Sequence, residues 1–467
     1  MFGINDRLRQ REKTHGPIRV AVIGIGSMGG PLIDQITMAP GMTVDVVADL
    51  NTERAARALK DAGIPENAIA MATTEDEARR AIAGGKVICT SQSEIAWSLD
   101  AIDCVVEATG DPAAYANIAV QTIRAKKHLV TFNVEGDVLI GHVIRMLADA
   151  AGVVYTGIHG DEPGVVKALY DEADALGFEI IAAGRHDYGG GDVKWNKNNI
   201  GPHLQSVSAR SVQNNLSLYA SFCDGSKTNE ECCMIANATG LVPDRRGMHG
   251  PSTTYAEFAQ KVPQLLDVRE NGGILSRSGV VERIVPSEGA SAQPVWCFVV
   301  VRIKNEMQRV FMTTMSGLGA VLVAGGSHIG AKPQNSNNMT TGVFYTPYHY
   351  CSVQAPISIA LAVVDGRATI APKGDKRVAD VMALAKKDLS AGEIIDEIGG
   401  ECVAGRVDLA STVKSGNYLP FALGRGAKLI RPINAGDYVT YDDVDLSGVS
   451  PLLLQLRRLQ DSLFPPA

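Results

Sequence analysis

The sequence predicts an α/β protein that begins with a parallel sheet wound on both faces by helices. Three observations predict it. Ile18 to Ile23 (I-R-V-A-V-I) holds five apolar residues in six positions, the mark of a strand buried on both faces. Gly24, Gly26 and Gly29 follow it as G-x-G-x-x-G and open a helical stretch, Ser27 to Ile36. A second apolar run, Thr43 to Ala48, ends in Asp49, 20 positions after Gly29. Strand, glycine turn, helix, strand and acidic residue in this order form the Rossmann dinucleotide-binding unit.

Each part has a physical task. Gly24 permits the tight turn, Gly26 lets a pyrophosphate approach the backbone, and Gly29 lets the helix pack on the strand. The turn Gly24-Ile25-Gly26-Ser27-Met28-Gly29 would aim helix N-terminal N–H groups at the phosphates. Asp49 is placed to meet the adenosine ribose, and alone it favours NAD, because a carboxylate repels a 2′-phosphate. Arg54, in D-L-N-T-E-R, is able to meet that phosphate with a bidentate contact. These two residues leave the choice between NADPH and NAD open.

Ahead of the first strand, Met1 to Pro17 is charged and has no apolar h-region, which reads as a short helix outside the sheet rather than a signal peptide. Residues 52–100 read as an insertion with no evident chemistry, opening with a helix, Thr52 to Ala62, and continuing as a more polar stretch with a short strand at Lys86 to Thr90. Ile102 to Gly110 is a buried strand ending in Ala108, Thr109 and Gly110, small enough for a nicotinamide ring to lie against the backbone. The strand His128 to Phe132 leads to Asn133 and Glu135, which either line the same crevice or serve as turn and cap. After the strand Val153 to Ile158, Asp161 and Glu162 precede a helix, Val165 to Leu176. Adjacent acids there cap the helix or ligate a hard cation.

The strand Phe178 to Gly184 runs into Arg185-His-Asp-Tyr-Gly-Gly-Gly-Asp-Val-Lys194-Trp195. Its glycines read as a mobile lid carrying charge on Lys194 and an apolar cover in Trp195, or as a surface loop. From Ser226-Lys227 a helix runs to a stop at Gly240. Lys227, Glu230, Met234 and Asn237 share one face of it. The other faces are too apolar for a surface helix, so this face suits an anionic, metal-assisted site. Arg245 and Arg246 offer further anion contacts. Val295 to Lys304 and Val310 to Met315 read as paired strands, and His349 as a candidate site residue. Near the C-terminus, Ala385 to Glu393 echoes Ala427 to Asp437 about 44 residues later, the trace of a small duplicated β-rich module.

Composition narrows the class. The 467 residues are 45% hydrophobic and 20% charged, enough for two or three domains with ordinary cores. A net charge of -7 gives no reason to expect nucleic acid or an anionic membrane as partner, and no apolar run reaches the length of a membrane span. Eight cysteines without a C-x-x-C pair read as reduced thiols of a cytoplasmic protein.

The first 155 residues resemble homoserine dehydrogenase-like oxidoreductases through Gly24 to Gly29 and Val105-Val-Glu-Ala-Thr-Gly110. The C-terminal module resembles SAF domains through its paired Ala-Gly-acidic signatures. With Asp224-Gly-Ser-Lys227 and Asn237-Ala-Thr-Gly-Leu241 between them, the chain resembles the deoxyxylulose 5-phosphate reductoisomerase-like proteins. That resemblance implies three domains: a Rossmann domain (1–155), a catalytic α/β domain (156–372) and an SAF-like module (373–467). It implies NADPH, with NAD the alternative, and Mg²⁺ or Mn²⁺ held by Asp161, Glu162 and Glu230. Asp161-Glu162 lacks the spacing residue of the related metal pattern. The resemblance further implies a phosphorylated sugar substrate and a homodimer. Lys227, Glu230, Asp161 and Lys194 are the expected catalytic residues, with Ser226, Asn237, Arg185, Trp195 and Arg245 on substrate. The expected reaction is metal-assisted reductive rearrangement of 1-deoxy-D-xylulose 5-phosphate to 2-C-methyl-D-erythritol 4-phosphate. The alternatives are a dehydrogenase acting on another hydroxy or oxo acid, and a dinucleotide- or sugar-binding protein without catalysis.

Overall fold

The computed structural model describes residues 3–187, 189–204, 215–287, 297–305, 307–308, 321–323 and 341–467. The chain divides into two compact units. The first comprises Met1–Gly164, Tyr350–Pro372 and Ser450–Leu463; the second comprises Val165–His349, Lys373–Val449 and Phe464–Ala467. No helix among the described residues is long and apolar enough to cross a membrane.

In the first unit seven parallel strands form one sheet. They are β1 (Ile18–Ile23), β2 (Met42–Ala48), β3 (Ile69–Met71), β4 (Val87–Thr90), β5 (Cys104–Glu107), β6 (His128–Thr131) and β7 (Tyr155–Gly157), in spatial order β3-β4-β2-β1-β5-β6-β7. The order reverses at β1, which pairs with β2 on one side and β5 on the other. Ile18, Val20 and Val22 join a core with Leu32, Ile33 and Ile36 of the helix Gly29–Met38, while Ala21 and Ile23 join the opposite core with Ile95, Leu99 and Ile118. Alternate side chains thus enter opposite cores, which is why β1 reads as an apolar run rather than an alternation.

Residues 52–100 are part of this sheet rather than an insertion beside it. They supply β3 and β4, and β4 pairs with β2. Their polarity follows from position, because β3 is an edge strand and only half-buried.

Beneath β5 to β7 lies a buried polar chain. The Tyr115 hydroxyl donates to Tyr155 (2.8 Å), and the Tyr155 hydroxyl donates to Asp137 Oδ2 (2.5 Å). Gly136 allows the Tyr115 ring to lie against the helix Val134–Ala151, since a Cβ there would stand 2.3 Å from it. Burial pushes the Asp137 carboxyl up to about 7, partly opposed by the Tyr155 hydrogen bond. The folded state therefore holds a proton that the unfolded chain releases near pH 4, and Asp137 erodes stability as pH rises from about 4 to 7. Asp137→Asn is expected to melt higher than wild type at pH 8, with the gap shrinking toward pH 5. A gap independent of pH in thermal melts would show that Asp137 ionises freely.

Gln460, on the C-terminal helix Pro451–Leu463, is fully buried against the same helix. Its Oε1 accepts from the His142 and Val143 N–H groups, and its Nε2 donates to the Leu139 carbonyl. One side-chain amide thereby fastens the last helix to the backbone of the sheet domain.

The second unit is built on a mixed sheet. Its strands are β8 (Glu179–His186), β9 (Val242–Pro243), β10 (Ser252–Thr253), β11 (Val280–Pro286), β12 (Cys297–Arg302), β13 (Val321–Val323) and β14 (Thr341–Thr346). The order is β10-β11-β8-β12-β14-β13, with β9 also paired to β11. The expected strand Val310 to Met315 lies outside the described residues. The helix Ser226–Thr239 is buried along its whole length, and a hairpin of β15 (Ala379–Ala385) and β16 (Val403–Leu409) packs on it.

The C-terminal duplication is visible in the hydrogen bonds. Leu389 and Ile433, 44 positions apart, donate to each other's carbonyls (2.8 and 3.0 Å). The bond from Gly392 N to Leu429 O recurs as Gly436 N to Ala385 O, and Ile395 N to Ala427 O recurs as Val439 N to Ala383 O. Every one of these pairs is shifted by the same 44 positions.

Candidate active site

The first unit presents the glycine turn where the strand order reverses. Gly24 has φ +91°, and a Cβ on it would stand 2.6 Å from the Ala108 carbonyl oxygen. A Cβ on Gly29 would stand 1.9 Å from the Gly24 carbonyl oxygen. Gly26, by contrast, faces open space and is exposed, as is Ser27. Two glycines thus close the turn and the middle one leaves a path to the backbone. The N-terminal end of the helix Gly29–Met38 follows directly, with Met28 as its N-cap.

Asp49 is deeply buried, and its carboxylate is filled. Oδ2 accepts from Ile25 N (2.6 Å) and Oδ1 from Asn51 N (2.7 Å). Arg54 Nη2 donates to both oxygens (2.8 and 2.9 Å), with about half of the Arg54 side chain exposed. Across the reversal, Glu107 ties the ends of β5 and β6 together. It accepts from Thr109 N (2.8 Å), the Thr109 hydroxyl and the Thr131 hydroxyl (2.8 Å), and burial pushes its carboxyl up. Ala108 and Gly110 flank that anchor. Asn133 caps the helix Val134–Ala151 by accepting from Gly136 N, and Glu135 is buried in its first turn.

Asp161, Glu162 and Cys351 bring ligand atoms within 4.8 Å of one another. Cys351 Sγ lies 3.3 Å from Asp161 Oδ1. Two carboxylates suit a hard divalent cation, whereas a thiolate suits a softer ion such as Zn²⁺. Glu230, the third expected ligand, belongs to the second unit.

In the second unit the expected substrate residues separate into two groups. Lys227 and Glu230 are buried in the first turns of the helix Ser226–Thr239, behind Gly225 at φ +81°. Ser226 and Asn237 serve the fold instead. The Ser226 hydroxyl accepts from Gly405 N (2.8 Å), and Asn237 Oδ1 accepts from Val378 N (2.9 Å) and Ala379 N (3.2 Å). Arg185 is buried in an ion pair with Glu231 and donates from Nε to the His186 carbonyl, so its guanidinium is held inside the core. Lys194 pairs with Asp192 (2.6 Å) over the Trp195 ring, and Trp195 packs on Ile200, Ala220 and Cys223. Arg245 is exposed.

Two of the glycines at 189–191 sit in close packing. A Cβ on Gly189 would stand 2.2 Å from the Cys223 Cα, and one on Gly191 would stand 2.3 Å from Arg283 Nη1. Hypothetical Cβ atoms on Gly225 and Gly250 also fall within 3.4 Å of the Arg283 guanidinium. Arg283 is thus walled by three glycines and paired to Asp187 (2.6 Å). Sequence reading missed it, because an arginine inside a strand carries no motif.

In the segment Asp244-Arg-Arg-Gly-Met-His-Gly250 the sequence points to the two arginines and passes over Asp244 and His249. This segment interrupts the edge of the sheet between β9 and β10, both of which pair with β11. Glu282 of β11 fills the gap by accepting from His249 N (2.9 Å) and Gly250 N (3.0 Å). Gly247, Met248 and Gly250 all have positive φ, and Met248 is buried. A non-glycine residue held there stores strain that the surrounding bonds must hold. His249 Nε2 meets Asp244 Oδ2 at 2.7 Å, and Asp244 also accepts from the Ser276 N–H (3.0 Å) and hydroxyl. The readable signal was a histidine between positive-φ glycine positions, five residues after an aspartate.

Residues 160–355 match the family described as "Oxidoreductase DRL, catalytic domain". A stretch of 67 residues is 36% identical to a Glycosyl hydrolase family 109 protein of Saccharopolyspora erythraea, covering 14% of this chain and 15% of that protein's length. Among solved structures, a probable dehydrogenase from Thermotoga maritima aligns with TM-score 0.40 and 11% identity, over 75% of this chain and 90% of that one. Myo-inositol dehydrogenase from Lactobacillus casei, solved with NAD(H) and myo-inositol, aligns with TM-score 0.36 and 14% identity, over 77% and 88%. Biliverdin reductase from Synechocystis sp. PCC 6803, solved with biliverdin and NADP+, aligns with TM-score 0.36 and 13% identity, over 75% and 92%.

Proposed function

We propose that the protein is an NAD(P)-dependent oxidoreductase that moves a hydride between a nicotinamide dinucleotide and a small hydroxy or oxo compound carrying an anionic group. The observation that carries this reading is the glycine turn at the reversal of the parallel sheet, closed by Gly24 and Gly29 and open at Gly26. The match of residues 160–355 to an oxidoreductase catalytic domain supports it. When bound, the dinucleotide supplies the hydride carrier; the chain's own part is to seat it and to orient the substrate. Lys227 and Arg283 are the cations of the second unit that would hold an anionic substrate.

The filled carboxylate of Asp49 favours NADPH. An ionised carboxylate has about four acceptor positions, and Ile25, Asn51 and Arg54 occupy them. Arg54 also offsets the charge that would repel a 2′-phosphate, and its exposed side offers donors to one. Arg54→Ala is expected to raise the NADPH Kd by about tenfold and to leave NADH binding nearly unchanged, a loss of about 1.4 kcal/mol. Equal weakening of both cofactors in fluorescence titrations would place Arg54 away from the 2′-phosphate.

A second reading is the metal-assisted reductoisomerase acting on 1-deoxy-D-xylulose 5-phosphate. The grouping of Asp161, Glu162 and Cys351 favours it. One assay separates the two. The full-length protein is given NADPH with oxo acids or 1-deoxy-D-xylulose 5-phosphate, and NADP+ with hydroxy acids or polyols, each with and without EDTA. EDTA-resistant turnover of an oxo or hydroxy compound supports the dehydrogenase. EDTA-sensitive turnover of the pentulose phosphate alone supports the reductoisomerase. Cofactor binding without turnover of any compound would overturn both.

A further inference from the structure

We propose that His249, oriented by Asp244, is the proton-transfer residue of the reaction, the group that takes the hydroxyl proton when the substrate is oxidised and returns it when the carbonyl is reduced. This rests on the oxidoreductase reading above and adds to it the acid–base partner that hydride transfer requires. Hydride transfer leaves a charge imbalance on oxygen. As the C–H bond gives its electron pair to the oxidised nicotinamide, the O–H bond must give its proton to a base, and a C=O bond forms. Lys227 is one candidate base; the structure contains a second, oriented by a buried carboxylate.

Four observations carry the assignment. The first is the dyad. Asp244 is almost fully buried and fixed by both the N–H and the hydroxyl of Ser276, and its Oδ2 meets His249 Nε2 at 2.7 Å. A carboxylate accepts, so Nε2 carries the proton and Nδ1 is left as the basic nitrogen. The second is access. The His249 side chain is 12% exposed, and its ring makes its one hydrogen bond among the described residues through Nε2. The third is the backbone. Both the His249 and the Gly250 N–H groups are held by Glu282, and the positive φ of Met248 and Gly250 fixes the direction of the segment. The fourth is the neighbourhood. Gly250 abuts the Arg283 guanidinium on one side and Gly225, two residues before Lys227, abuts it on another. The imidazole segment and the head of the Lys227 helix are therefore both drawn up to one cation. Among the described residues, the charged groups shown to interact with His249 are Asp244 and Glu282, and Arg283 lies beside the neighbouring Gly250.

The test uses the full-length protein with NADP+ and whichever hydroxy compound of the panel above it oxidises. His249→Gln keeps an amide nitrogen where Nε2 stood, so the bond to Asp244 survives while the basic nitrogen is gone. The expected result is a fall in kcat of about a hundredfold or more, with substrate KM and NADPH Kd within about threefold of wild type. The acid limb of the wild-type pH–rate profile should vanish in His249→Gln. Asp244→Asn, a positioning change, should lower kcat less and displace that limb rather than remove it. Wild-type kcat and an unchanged acid limb in His249→Gln would overturn the proposal and leave the oxidoreductase standing. A wild-type protein that binds NADPH but turns over nothing would overturn the oxidoreductase reading, and this proposal with it.

Discussion

Glu231→Leu, with Arg185 left in place, is expected to cost about 3–5 kcal/mol of folding stability. Both side chains are essentially sealed, at 1% and 0% exposure. Removing the carboxylate takes away the ion-pair partner of a guanidinium that cannot give up its proton and that is buried where its Nε donates to the His186 carbonyl. The pair itself is a weaker stabiliser than this number implies, because most of the loss is the penalty of the orphaned charge. The double change Arg185→Met with Glu231→Leu is therefore expected to recover most of the loss. Chemical denaturation of the three variants checks both statements. A Glu231→Leu protein within about 1 kcal/mol of wild type would mean that the guanidinium finds solvent.

Gly29→Ala should abolish dinucleotide binding. The added Cβ would sit 1.9 Å from the Gly24 carbonyl oxygen and 3.0 Å from its carbonyl carbon, where no side-chain rotation can relieve the overlap. The helix must then move off β1, and the N–H groups that would face the pyrophosphate move with it. Gly26→Ala meets no protein atom within 4 Å and should leave the fold intact while hindering the ligand. Equilibrium binding of NADPH together with thermal melts distinguishes the two: loss of both signals for Gly29→Ala, loss of binding alone for Gly26→Ala. Retained NADPH binding in Gly29→Ala would contradict the packing described.

The glycine turn was legible because its logic is local. Gly24, Gly26, Gly29 and Asp49 sit at fixed offsets from two apolar strands, and sequence offset equals structural offset within a single βαβ unit. The buried helix Ser226–Thr239 was legible for a similar reason, since small apolar residues surround its polar face. Which of its polar residues face a ligand was not legible. Asn237 and Ser226 bond to backbone at 378–379 and 405, more than 140 positions away, and no local pattern announces that. The same holds for Arg185, whose partner Glu231 is 46 positions distant, and for the glycines at 189–191, whose neighbours Cys223 and Arg283 come from other elements. Strand β3 escaped notice because a short, half-polar edge strand lacks the apolar run that identified β1, whereas β4, buried between β3 and β2, reads from the sequence as the short strand Lys86 to Thr90.

The reciprocal bonds of the C-terminal module make it an isologous assembly within one chain. Leu389 bonds Ile433 as a residue on a two-fold axis bonds its mate, and each flanking bond has a counterpart 44 positions away. Backbone symmetry of this kind leaves side chains free to diverge, and they have. Lys386 is buried in one half, where its ammonium bonds Asp224 (2.8 Å) and the Gly400 carbonyl (2.8 Å) just ahead of the Lys227 helix. The mate of Lys386 is Ile430, which stands 60% exposed. One half has become the buttress of the buried helix Ser226–Thr239, and its twin keeps the same backbone turned to the outside.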